Sequence, residues 1–372
     1  MNFALRHSEL RDFYEKVAAG ERLSEQDALR LFQTKDLNAL GAMADFARAR
    51  RCGNDATYIL NRYINYSNYC ILSCQFCAFA RKKRDADGFQ LSVEEMVQKA
   101  REALAAGITE LHIVGGLHPS LPFSYYLEML QALRALDSNL ALKCFTAIEV
   151  LHLAWLAKKS VPETLSELRA AGLNSLTGGG AEIFEPSVRS RIAKGKESAA
   201  EYLDVHRTWH RMGEKSTCTM LYGHIESLED RVDHLRQLRA LQDETGGFVA
   251  FIPLAYQPEN NQIPAPHRPS GFDSLRTLAV SRLYLDNFPH ITAYWIGLGL
   301  KLAQVALSYG ADDIHGTIME EHIFRMAGGG QGQLQPQSEL VKTIREAGRV
   351  PVQRDTFYRK IAAAERSAMA AG

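Results

Sequence analysis

The chain has 372 residues with 43 basic and 43 acidic side chains, so its formal net charge is zero. Hydrophobic residues make up 46% and charged residues 23%, the balance of a globular protein with a large core and not of a disordered one. Neutrality gives no general pull on nucleic acid or anionic lipid, so no nucleic-acid partner and no membrane surface is expected.

The first residues, Met1 to Glu9, lack the apolar run of a signal peptide. The most apolar stretch, from Tyr294 to Leu307, carries Lys301 and Gln304 and is too short to span a bilayer. A cytoplasmic location is therefore expected. In that reducing compartment, clustered cysteines suggest metal or redox chemistry rather than disulfides.

Residues 1–55 are expected to form an N-terminal helical extension, with Ser24-Glu25-Gln26-Asp27 as a helix cap. From 56 to 355, short β-prone runs alternate with amphipathic helices. The candidate strands are Tyr63–Tyr66, Glu110–Val114, Leu140–Thr146, Asn174–Thr177, Ser216–Tyr222, Phe248–Leu254, His290–Trp295 and Asp313–Ile318. Ser92-Val93-Glu94-Glu95 and Ser227-Leu228-Glu229-Asp230 begin two of the helices between them. This repetition predicts an α/β fold, a TIM-type (β/α) barrel, full or partly open. Its chemistry would lie at the C-terminal rim of the strands. Residues 356–372 are expected to form a helical tail.

The most informative segment is Asn68-Tyr69-Cys70-Ile71-Leu72-Ser73-Cys74-Gln75-Phe76-Cys77, which follows directly on the first candidate strand. Its C-x3-C-x2-C spacing can point three thiolates at one small object, as an iron–sulfur cluster needs. Cys52, Cys144 and Cys218 lie far away in sequence and form no C-x-x-C pair, so no fourth protein ligand is evident. One metal corner would then be left for something other than protein. Three other readings compete: buried cysteines gathered by chance, a zinc site completed by a distant histidine, and a non-catalytic iron–sulfur or zinc scaffold with four protein ligands.

C-x3-C-x-aromatic-C after a barrel strand resembles the radical S-adenosylmethionine (SAM) superfamily. The resemblance implies one 4Fe-4S cluster held by Cys70, Cys74 and Cys77, with SAM bound at the open iron and Phe76 packing near its adenine. Ile113-Val114-Gly115-Gly116-Leu117-His118-Pro119 resembles the superfamily's glycine-rich motif, in which the Gly115 and Gly116 backbone would receive the SAM ammonium. This chain has Leu117-His118 where many relatives have a single Glu. Leu221 to Glu226 resembles an adenine-contacting segment, which makes Glu226 a cofactor-binding candidate. Glu182, just past Gly178-Gly179-Gly180, is a candidate for a ribose hydroxyl or the SAM amine, or for a helix cap.

A narrower resemblance covers about residues 20 to 355. Asn65 to Cys70, Gly178 to Phe184, Met220 to Glu226, Gln242 to Phe248 and Ala311-Asp312-Asp313 look like the futalosine-pathway enzymes of menaquinone biosynthesis. Asp204 to His210, Phe251 to Asn260 and Ile314 to Thr317 look closer to its aminofutalosine synthases than to its dehypoxanthine futalosine cyclases. The first group implies a transferase that forms a carbon–carbon bond, adding the 5′-deoxyadenosyl group of SAM to 3-[(1-carboxyvinyl)oxy]benzoate. It also implies an electron donor such as flavodoxin or ferredoxin. A substrate with two carboxylates asks for cations near the rim. Arg81, His118 and His224, together with His315 and His322, are the candidates, though an arginine at position 81 could equally face solvent. Asp312-Asp313 could bind ribose or cap a helix.

Overall fold

The structure, a computed structural model, describes residues 5, 7–263, 268–330 and 332–361. Ser24, Ser92 and Ser227 each accept the N–H of the acid three residues on, and that acid returns a carboxylate to the serine N–H. These reciprocal bonds fix where the helices Glu25–Gln33, Val93–Leu104 and Leu228–Thr245 begin. The first of them, with helices Arg11–Ala19 and Leu37–Cys52, forms the N-terminal extension.

The strands are β1 (Asp55–Ile59), β2 (Asn61–Ile64), β3 (Glu110–Ile113), β4 (Ala141–Cys144), β5 (Ser175–Leu176), β6 (Lys215–Tyr222), β7 (Phe248–Ala255), β8 (His290–Ile291), β9 (Asp313–Gly316) and β10 (Val350–Gln353). β2 to β8 form a seven-stranded parallel sheet in chain order, curled with helices outside. β9 crosses the open side. Ala293 N–H donates to the Asp313 carbonyl at 2.7 Å, and Tyr63 N–H donates to the Ile318 carbonyl at 2.8 Å. Single bonds thus replace a continuous ladder there, and the result is a partly open TIM-type barrel.

Three expectations need correction. β1 and β10 were not expected; they pair with each other in a second sheet of order β10-β1-β9. The first strand of the larger sheet ends at Ile64 instead of Tyr66, because Asn65 turns to donate from its side chain to the Val114 carbonyl at 3.0 Å. Residues 356–361 are not helical: Arg354 bridges Lys360 across a turn. The rest of the expected tail helix, residues 362–372, lies outside the described residues. No helix among the described residues is long and apolar enough to cross a membrane.

The base of the barrel is charged and self-neutralising. Arg354 grips Asp313 through two bonds of 2.6 and 3.1 Å, and Thr57 donates to the same carboxylate at 2.7 Å. Glu110 accepts from Asn61 and from Thr356, both at 3.0 Å. Burial disfavours the Glu110 carboxylate, but Lys143, His112, Arg354 and the Asn61 bond outweigh it and hold its pKa at about 2.

Candidate active site

Above that base lies a cavity of about 280 Å³. Its walls are built by the cysteine loop that leaves β2 and by residues on, or just after, β3 to β9.

The loop is tied back on itself. Lys82 Nζ donates to the carbonyls of Cys70, Ile71 and Leu72 at 2.9, 3.2 and 2.8 Å. Arg81 Nη1 donates to the carbonyls of Ala78 and Ala80 at 2.8 and 3.0 Å, while its Nε holds Asp87 at 2.7 Å. These bonds leave Cys70, Cys74 and Cys77 all lining the cavity. Burial pushes the Cys74 thiol up to about 12, with its neighbours Cys77, Glu182 and Cys70 adding to the effect and Lys196 opposing it. Burial likewise raises Cys77. Thiols raised by burial, as Cys74 and Cys77 are, ionise readily only when a cation shares the space, which is the chemistry of an iron ligand set. Among the described residues no three Cys, His, Asp or Glu side chains converge on one metal ion. A 4Fe-4S cluster offers a separate iron to each thiolate, so the set suits a cluster without such convergence.

A second wall carries an ion pair. Glu182, in a left-handed backbone conformation at φ 45°, meets Lys196, and both line the cavity. The Lys196 ammonium also lies 5.4 Å from the centre of the Phe76 ring. Burial works against its charge, but Glu182, Glu197 and Cys74 raise its pKa above the usual lysine value. Lys196 is the one lysine or arginine on the wall among the described residues. Glu149 lies nearby, accepting the N–H groups of Thr146 and Gly115 at 2.7 and 3.0 Å and the Tyr66 hydroxyl at 2.8 Å. Burial raises its pKa against those bonds.

The cavity's inner end, next to the base, is aromatic. Tyr63 stacks on His112 with ring centres 4.1 Å apart, and its hydroxyl lies 3.2 Å from His315 Nε2. The Tyr294 hydroxyl is 3.5 Å from that of Tyr63.

Comparison with known proteins then decides the family. Residues 64–238 match the radical SAM superfamily, and residues 245–366 match the CofH/MqnC C-terminal region. Over 351 residues, 93% of this chain and 94% of the relative, the sequence is 45% identical to aminodeoxyfutalosine synthase of Thermus thermophilus. The chain belongs to the radical SAM superfamily. It is also 43% identical to the 5-amino-6-(D-ribitylamino)uracil–L-tyrosine 4-hydroxyphenyl transferase of Methanopyrus kandleri, covering 93% of this chain and 95% of that one. The cyclic dehypoxanthine futalosine synthase of Streptomyces coelicolor is 39% identical over 94% of this chain and 88% of its own. Among solved structures, methylornithine synthase shares the fold at a TM-score of 0.73 and 18% identity, over 96% of this chain and 99% of that one.

In this radical SAM chain Phe76, Gly115, Gly116 and Glu182 line the cavity. The two glycines are needed first for packing. A Cβ at Gly115 would lie 2.6 Å from the Tyr66 ring, and one at Gly116 would lie 2.3 Å from the Tyr69 carbonyl oxygen. Six expected site residues are employed elsewhere. Glu226 accepts the N–H groups of Gly223 and His224 at 2.5 and 2.9 Å and binds Arg231 at 2.8 Å, so it shapes the turn after β6 and does not reach the cavity wall. His224 bonds the Leu221 carbonyl at 3.1 Å and accepts the Ile225 N–H at 2.7 Å. His118 Nδ1 accepts from the N–H groups of Ser120 and Leu121 at 3.1 and 3.0 Å, and burial lowers its pKa to about 4. Arg81 braces the cysteine loop from behind, as described above. His322 pairs with Glu320 at 3.1 Å, while Asp312 pairs with the buried Arg282 and with His290. Of the five cation candidates only His315 reaches the cavity.

Lys196, Glu149, Tyr63 and His112 were not anticipated. For His112 a signal existed: in Glu110-Leu111-His112-Ile113 it alternates with apolar residues, the period of an inward-facing barrel position.

Proposed function

We propose that this radical SAM enzyme is an aminofutalosine (aminodeoxyfutalosine) synthase acting on 3-[(1-carboxyvinyl)oxy]benzoate. The carrying observation is 45% identity to a named aminodeoxyfutalosine synthase across nearly the whole of both chains. The non-catalytic scaffold is set aside with it.

Cys70, Cys74 and Cys77 would hold a 4Fe-4S cluster, which when bound supplies the electron that splits SAM into methionine and the 5′-deoxyadenosyl radical. The protein's own part is placement. Glu182 and Lys196 can exchange their mutual ion pair for the ammonium and the carboxylate of the methionine moiety, keeping every buried charge paired. Phe76 offers a face to the adenine, and the Gly115–Gly116 backbone closes the approach. Apolar side chains such as Ile252, Leu254 and Phe324 line the cavity and exclude water and stray hydrogen donors from the radical. In the proposed reaction, C5′ bonds to the methylene carbon of the enol ether. The resulting radical is stabilised by both the ether oxygen and the carboxylate. Aryl migration to carbon leaves an oxygen-centred radical. Breaking the bond to the carboxylate then forms the ketone of aminofutalosine. The departing carboxyl radical anion would give one electron back to the oxidised cluster and take up water to leave as bicarbonate.

The test is anaerobic incubation of the reduced, cluster-loaded protein with SAM and candidate substrates, followed by mass analysis. The expected product retains the adenosyl carbon skeleton. Free 5′-deoxyadenosine formed in step with dehypoxanthine futalosine turnover would instead assign the cyclase reaction.

A further inference from the structure

We infer that the inner end of the cavity, where Tyr63, His112 and His315 meet beside Tyr294, is the binding subsite for the carboxylated aromatic ring of the substrate, with His112 and His315 donating hydrogen bonds to the ring carboxylate. The assignment rests on the reaction proposed above.

Three observations converge there. First, Nδ1 of His112 and Nδ1 of His315 are enclosed yet have no hydrogen-bond partner. An enclosed polar atom without a partner is destabilising in a native core and calls for an explanation. Second, His315 sits at φ 71°, a left-handed conformation uncommon for a residue with a side chain, and its N–H is held by Asp313 Oδ1 at 2.9 Å. Strain maintained in this way, at a cavity wall, points to a side chain whose position matters. Third, the rings leave edges and faces suited to another ring. Tyr294 stands edge-on to His315 with centres 5.0 Å apart at 79°, and Tyr63 lies 5.9 Å from His315 at 76°.

The substrate brings two carboxylates, and SAM brings a third, but the wall carries a single lysine beside the cysteines. At the other end Lys143 and Arg354 stand one layer behind the rings but are already paired with Glu110 and Asp313, so the imidazoles themselves must meet the carboxylate. Lys143 is in register with His112 on the neighbouring strand, and Arg354 lies beyond His315 on Asp313. With the ring carboxylate anchored at this end, the 3-oxyvinyl arm projects toward the cysteines, where C5′ of SAM would arrive.

A proton-linked signature follows. Burial keeps both imidazoles neutral in the ligand-free site, His315 at about 3 and His112 well below its usual value. The groups that face them are Lys143, Glu110, Asp313, Arg354, Glu321, Tyr63 and Tyr294. An arriving carboxylate favours the protonated ring, so binding should take up a proton, and affinity should weaken as pH rises.

The experiment is equilibrium calorimetry on anaerobic, cluster-loaded enzyme without SAM. The ligands are 3-[(1-carboxyvinyl)oxy]benzoate and its analogue lacking the ring carboxylate, each in buffers of different ionisation enthalpy. Wild type should prefer the carboxylated ligand by about 10- to 100-fold and show proton uptake. His112→Phe keeps a ring against Tyr63, and His315→Asn tolerates the left-handed backbone. Each should cut that preference to about 3-fold or less and raise KM with kcat little changed. Retained preference in both variants at native melting temperature would overturn the subsite, as would equal binding of the two ligands by wild type that still makes adenosylated product. If either variant fails to fold, Tyr63→Phe replaces it and should lower the preference. Wild type that neither binds the substrate nor forms that product would overturn the parent reading instead.

Discussion

The two ends of the barrel solve opposite problems. At the base every charge has its counter-charge within the protein: Asp313 with Arg354, and Glu110 with Lys143 and two hydrogen-bond donors. At the rim, three thiols and a single ion pair line a cavity, and two imidazole nitrogens at its inner end have no partner. The base is finished on folding, whereas the rim is arranged for groups that arrive later. Unpartnered buried polar atoms also occur away from the cavity, at His206, Tyr222 and His234 among others, so it is the grouping of thiols, ion pair and imidazoles on one cavity that marks the site.

Cys74→Ala should break this contrast most completely. Bound iron and activity should fall to background, while the urea stability of iron-free protein stays within about 1 kcal/mol of wild type. Colorimetric iron analysis and denaturation curves read both, and full iron retention would refute the ligand assignment. At the other end, Arg354→Met strands a fully buried Asp313 carboxylate and should cost about 3–5 kcal/mol of stability, seen as a lower urea midpoint.

Acid should separate the ends further. His210, His234 and His315 are held at about 3 by burial, so as pH falls below about 6.5 the unfolded chain takes up protons before the folded one does. Each then removes about 1.4 kcal/mol per pH unit on the way to pH 3. Glu110 acts lower down: its contribution is complete above about 4.5 and is lost as pH falls toward 2. A stability profile that is flat from pH 7 to 4 would contradict these burials. The smallest effect is expected from Lys196→Met, which should raise KM for SAM by about 10- to 100-fold. An unchanged KM would remove Lys196 from SAM recognition.

Much of this was legible in the sequence for reasons of locality. The cysteine spacing, the caps at Ser24, Ser92 and Ser227 and most barrel strands depend on neighbours within a dozen residues, and these were foreseen. β1 and β10 were not, because Asp55 pairs with Val350 across almost the whole chain and neither short run carries a strong strand pattern, one of them containing Pro351. The site divided along the same line. A strand end can be read from sequence, but the direction of the next side chain cannot. Glu226 and His224, placed just after β6, turn to satisfy their own loop, while Lys196, far from any motif, reaches inward. His112 was overlooked because a lone histidine in a short strand is usually core; the alternation hinted at its face, and the register with Tyr63 and Lys143 fixes it.

The pairing of β1 with both β9 and β10 has a temporal consequence. One residue, Leu60, separates β1 from β2, the strand that launches the cysteine loop. β1 can find its partners only after residues 313 to 353 have been made, whereas β2 can pair with β3 as soon as residue 113 is available. The smaller sheet is then the last part of the fold to close, after most strands of the larger one have already been made.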